Sequence, residues 1–141
     1  MHDINRDERG KRVTVLGDKI AALLLVVVGV VHVLPGVVAL SPRRAPAVYG
    51  ITLDDPDLVL LLRHRAIVLA LIGVGLIIGA FTPPVRPVVV GAALISLVSF
   101  IGLTVRARPG GVNAETRRVA WIDVGAVGLL VIASCLLVVA N

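Results

Sequence analysis

Long apolar blocks separated by short polar stretches set the pattern of this chain. Residues 20–40, 58–81, 85–105 and 119–140 consist mostly of Val, Leu, Ile, Ala and Gly. The apolar positions run on continuously and do not recur every three or four residues, so no face is reserved for water. As helix, at ~1.5 Å per residue, each block spans roughly 30 Å, the thickness of a bilayer's hydrocarbon core. Lipid offers no partner to backbone amides and carbonyls, so such blocks cross as helices. Short connections make consecutive helices antiparallel. The expected fold is therefore all-α: an integral membrane antiparallel four-helix bundle over residues 20–141, with both ends on one side.

Residues 1–19 are polar and mixed in charge, and read as a flexible tail. They lack the short basic start and the cleavage site of a signal peptide, so the first block is expected to be a permanent span. With Asn141 directly after the fourth block, no further soluble domain is expected.

Local signals punctuate the blocks. Pro35 removes a backbone donor and frees the carbonyl of Val31, which predicts a kink beside His32. Residues 41–57 read as a loop, with Pro42, Pro46 and Gly50 as turn residues and Tyr49 at an interfacial position. It closes on Asp55-Pro56, an acid at the N-cap and proline at the first helical position. Gly73, Gly75 and Gly79 give the second block a smooth flank for helix packing. Thr82-Pro83-Pro84 predicts a tight turn, after which Arg86 is expected to snorkel to the interface. Pro109-Gly110-Gly111 predicts the last turn, and Trp121 marks an interface.

Composition agrees with this picture. The 141 residues are 57% hydrophobic and 16% charged, too few charges to cover a soluble domain of this size. The net charge of +5 does not point to nucleic acid. The basic residues flank apolar blocks, where they anchor to headgroups, and no aromatics are interleaved to stack bases. A single cysteine, Cys135, excludes an intrachain disulfide or a thiolate metal cluster. Of the 14 Lys and Arg, six lie on the terminal side and six on the other, or eight there with Arg63 and Arg65, so the count gives no clear orientation. An uncleaved span after a basic tail favours cytoplasmic termini in a cell membrane.

Chemistry concentrates in one half of the bundle. Antiparallel order brings His32, Arg63, His64, Arg65, Ser96, Ser99 and Asp123 to the half opposite the termini. A charge at the bilayer centre costs at least about 2.5–3.5 kcal/mol, so such residues pair, face inward or snorkel. Arg63 and Arg65 lie about 200° apart on a helix and cannot share a face. Asp123, the one carboxylate inside a block, is the natural partner of whichever points inward. Asp54 or Asp57 is within reach of the other. The bland account is an ion pair that fixes helix register, with His32 bonded to a freed carbonyl or a nearby serine. The sharper account is a ligand-binding or ion-pair cluster that takes a lipid headgroup or small ligand. No metal site is expected, since neither three ligands nor His-x-x-x-His spacing occurs. Haem between His32 and His64 is disfavoured by their different depths and by the arginines flanking His64. No serine-nucleophile motif accompanies Ser96 or Ser99, and no catalytic residues are assigned.

Several stretches together carry a family resemblance. They are Val48-Tyr49-Gly50-Ile51, Asp54-Asp55-Pro56, Leu61-Leu62-Arg63-His64-Arg65-Ala66, Ser96-Leu97-Val98-Ser99-Phe100, and Arg118-Val119 before Asp123. The chain resembles the small four-span bacterial membrane proteins of the DoxX-like type over roughly residues 32–123. The resemblance implies a bacterial inner-membrane protein and a quinone-linked redox subunit, with quinone as cofactor. No catalytic motif matches residue by residue, so that activity is not carried over. Three functions remain open: an accessory or structural subunit with membrane-protein partners or copies of itself, the quinone-linked subunit, and an oligomeric transporter or channel protomer. A transporter would need a continuous polar path, whereas the half of the blocks nearer the termini is almost purely aliphatic.

Overall fold

A computed structural model describes residues 2–39, 55–107 and 111–140 of the chain. Four helices run through them: α1 (His2–Ala39), α2 (Pro56–Phe81), α3 (Arg86–Arg106) and α4 (Ala114–Ala140). A 3₁₀ turn, Pro83–Val85, links α2 to α3. Each helix contains a segment long and apolar enough to cross a membrane: Gly10–Gly36, Pro56–Phe81, Pro83–Arg106 and Ala114–Val139. Sequential neighbours α2–α3 and α3–α4 pack together, and α1 packs on both α2 and α4, which closes the ring. The result is an antiparallel four-helix membrane bundle.

The tail expected over residues 1–19 differs from the structure, because α1 is helical from His2. At ~1.5 Å per residue this helix is roughly 57 Å long, well beyond a hydrocarbon core. Its first turns carry an exposed i,i+4 pair, Arg12 with Glu8 at 3.8 Å. Helix α1 also continues through Pro35. The expected loop signals Pro42, Pro46, Tyr49 and Gly50, the acid Asp54, and Pro109-Gly110 lie outside the described residues.

The ends that are described follow their sequence signals. Asp55 caps α2, its side chain accepting from the Asp57 amide at 2.9 Å, with Pro56 in the first turn. Asn113 does the same for α4, its Oδ1 accepting from the Thr116 amide at 2.8 Å. That cap starts α4 five residues before the apolar block, because Ala114-Glu115-Thr116 are compatible with a first helical turn.

The packing is inside-out relative to a soluble bundle. Large aliphatic and aromatic side chains face outward, among them Leu23, Leu60, Leu71, Phe81, Val88, Ile95, Leu103 and Trp121. Of the twelve buried apolar side chains among the described residues, six are alanine. Between helices in lipid there is no hydrophobic gain from hiding a leucine. Small residues that let backbones approach are what bring helices together.

The α1–α2 seam shows this most clearly. A Cβ added to Gly73 would lie 2.5 Å from the Gly29 carbonyl oxygen and 2.9 Å from the His32 Cβ. One added to Gly29 would lie 2.7 Å from the Gly73 carbonyl oxygen. Two turns away, Gly36 faces Ala70 and the carbonyl of Ala66. Gly29 and Gly36 are seven residues apart, as are the buried Ala66, Gly73 and Ala80. A seven-residue repeat keeps the small face turned to the partner along a left-handed crossing. On the next flank, Gly75 and Gly79 receive Val89 of α3.

Gly73→Ala must push backbone against backbone. It is expected to destabilise the bundle by about 1–3 kcal/mol, the usual cost of overpacking. Gly91→Ala, with open space around its Cα, is expected to leave stability unchanged or raise it slightly. Equilibrium unfolding in mixed micelles measures both.

Candidate functional site

Two polar groupings lie at opposite ends of the bundle. The first was not foreseen from sequence. Arg86, at the start of α3, is buried at 9% exposure and does not snorkel to the interface. Its Nε donates to the Gly79 carbonyl at 2.8 Å and its Nη2 to the Ala80 carbonyl at 2.9 Å. Its Nη1 donates to Asp18 Oδ1 of α1 at 2.6 Å.

The reason lies in the turn. In a continuing helix the carbonyls of Gly79 and Ala80 would accept from the amides of residues 83 and 84. Both positions are proline and have no N–H. The sharp turn that reverses the chain therefore strands two carbonyls, and one guanidinium satisfies both. A cation at a helix N-terminus is unfavourable on its own. Here it also meets the negative C-terminal end of α2. Asp18 balances the charge while remaining half exposed.

The second grouping is the half-layer expected from sequence, and the structure brings only part of it together. His32 is buried at 4% exposure. Its Nδ1 lies 2.9 Å from the Val28 carbonyl of its own helix, not from the Val31 carbonyl freed by Pro35 and not from a serine. A carbonyl only accepts, so Nδ1 carries the proton and, in the neutral ring, Nε2 is a lone-pair acceptor. Nε2 is buried without a hydrogen-bond partner. Asp123 of α4 is half-buried and within electrostatic reach of His32 and Arg65. Arg65 is half-buried, its guanidinium 4.0 Å from the centroid of the Phe100 ring on α3. The face of the ring, rather than a hydrogen-bonded carboxylate, meets the guanidinium charge there.

The remaining candidates stand apart. Arg63 and His64 are exposed. Ser99 is exposed and its hydroxyl donates to the Ser96 carbonyl at 2.9 Å, one turn back on α3. Ser96 is half-buried. Among the described residues no group of three or more His, Cys, Asp or Glu is placed to hold a metal ion.

Together these features define a class, a small multi-pass helical membrane protein with an internal polar grouping near each face. No family model matches the chain, and no curated protein or solved structure is significantly similar to it.

The Arg86 anchor makes a graded prediction. Arg86→Gln is too short to reach both carbonyls and leaves Asp18 unpaired. It is expected to cost about 3 kcal/mol. Asp18→Asn removes one half-exposed partner and is expected to cost about 1 kcal/mol or less. Unfolding in mixed micelles reads both, and an Asp18 effect as large as the Arg86 effect contradicts the carbonyl account.

Proposed function

We propose that this protein is an accessory membrane subunit whose His32–Arg65–Asp123 grouping offers a hydrogen-bonding site to a lipid headgroup or small ligand. The observation that carries this reading is the buried, unpartnered Nε2 of His32. Leaving a buried acceptor unmet costs about 1–3 kcal/mol. A group with an O–H or N–H donor meets it, and the nearby carboxylate and guanidinium provide polar surroundings of both signs. The same three side chains come from α1, α2 and α4, so they also help to hold helix register.

A second reading follows from the same atom. The hydroxyl of a reduced quinone is a donor of the kind Nε2 accepts, and its apolar ring and tail suit a lipid-facing bundle. This supports the quinone-linked, DoxX-like alternative as a proposal. Nothing comparable supports a transporter.

His32→Leu separates these accounts from a purely structural role. In the ligand reading, mass spectrometry of organic extracts finds a species retained by wild type and by Arg63→Gln but lost from His32→Leu. In the quinol reading, a reduced short-chain quinol raises the melting temperature of wild type and not of His32→Leu. Identical extracts and no quinol shift in either protein would sink both. Asp123→Asn is expected to lower the melting temperature in each case.

A further inference from the structure

The Arg86 anchor borders a cleft of about 630 Å³ between α1, α3 and α4. Its α1 wall is largely polar, with Thr14, Asp18 and Lys19. The α3 and α4 walls are mostly apolar, with Val90 and Val138 among the lining residues, and the lining as a whole is more apolar than polar. This volume lies on the terminal side of the bundle, beside residues 14–19 of α1 and the last turns of α4, away from His32.

We propose that this cleft binds one anionic phospholipid of the leaflet on the terminal side. Its phosphate lies between Lys19 and Arg86, and one acyl chain runs along the α3–α4 wall. Three observations converge on that occupant. First, charge: Arg86 and Asp18 compensate each other through their 2.6 Å contact. The exposed Lys19 is then a surplus positive charge at the polar wall, complementary to a phosphodiester.

Second, hydrogen-bonding capacity: a guanidinium has five N–H donors, and Arg86 directs three of them at Gly79, Ala80 and Asp18. Two remain for phosphate or ester oxygens, on a side chain already fixed in place by the other three. A donor held rigid loses little freedom on binding, which favours affinity. Third, the lining itself: a water-soluble phosphate compound would leave the Val90 and Val138 side unoccupied, whereas an acyl chain covers it. The cleft therefore recognises both ends of one amphiphile, and a headgroup fragment alone satisfies only half of it.

The test avoids Arg86, whose loss unsettles the α2–α3 corner. Purified protein in a neutral detergent is titrated with phosphatidylglycerol, phosphatidylcholine or glycerol phosphate and read by native mass spectrometry. Wild type is expected to retain one phosphatidylglycerol per chain in preference to phosphatidylcholine, and not to retain glycerol phosphate. Lys19→Gln is expected to weaken phosphatidylglycerol retention about fivefold, the factor corresponding to ~1 kcal/mol per basic residue at an anionic surface. Val138→Trp, which fills the apolar side, is expected to weaken both phospholipids alike. Arg117→Gln, at the opposite end of the bundle, serves as the control and is expected to match wild type. Equal retention of the two phospholipids by wild type overturns the proposal. So does retention of glycerol phosphate comparable to that of the lipid, or a Lys19→Gln effect no larger than that of Arg117→Gln. A melting-temperature scan of each variant shows that it is folded before its retention is compared.

Discussion

Inside a bilayer every backbone carbonyl must find a donor within the protein, and the α2–α3 corner is where this constraint presses hardest. The chain reverses there on two prolines, and the same prolines withhold the amides that Gly79 and Ala80 would otherwise use. An unmet carbonyl in hydrocarbon costs several kcal/mol. Placing a charged arginine in the membrane costs about 2.5–3.5 kcal/mol at the centre and less near a face. Hydrogen bonds to a charged group return about 1.5–3 kcal/mol each, and Arg86 makes three. The bonds outweigh the burial. One side chain thus closes α2, starts α3 and, through Asp18, ties both to α1.

The polar layer at the opposite end is built differently. Arg86 is met by two carbonyls and a carboxylate, whereas His32 satisfies one ring nitrogen and leaves the other unmet. Arg65 rests on the Phe100 ring, a softer partner than a carboxylate. Two layers of similar polarity therefore have different chemical standing. One is saturated and mechanical, and the other retains an acceptor in an apolar surrounding. That difference is why the binding reading attaches to His32 and not to the more heavily charged run beside it.

The four helices were legible in the sequence because lipid-exposed blocks are apolar all round, so length alone marks them. The Asp55-Pro56 start was legible for the same local reason that caps are. The polar half-layer was legible only in part. Arg63, His64 and Arg65 are adjacent in sequence, but a helix turns ~100° per residue. The three fan out: Arg63 and His64 are exposed, and of the run Arg65 alone joins the distant His32 and Asp123. Arg86 was misread as snorkelling because a basic residue near the end of an apolar block usually does so. The signal against that reading was present in Pro83 and Pro84, which strand the carbonyls Arg86 needs. Asp18 was passed over because residues 1–19 were read as tail, and a mixed-charge segment gives no hydropathy signal for a helix that projects beyond the membrane.

The tight α1–α2 seam and the open cleft are two sides of one packing choice. Gly29, Gly36, Ala66 and Gly73 let α1 close on α2 to backbone contact. The buried alanines of α3 and α4 fill the centre of the bundle, but at the terminal end the partner that α3 offers to α1 is the long arm of Arg86. A guanidinium spanning to Asp18 holds the two helices at the length of an arginine rather than of a glycine. The space beside it has a polar wall on α1, mostly apolar walls on α3 and α4, and the exposed Lys19 at its edge. The same interaction that repairs the proline turn therefore also sets the width and the charge of the cleft, so the anchor and the proposed lipid site stand on one residue while remaining separable through Lys19 and Val138.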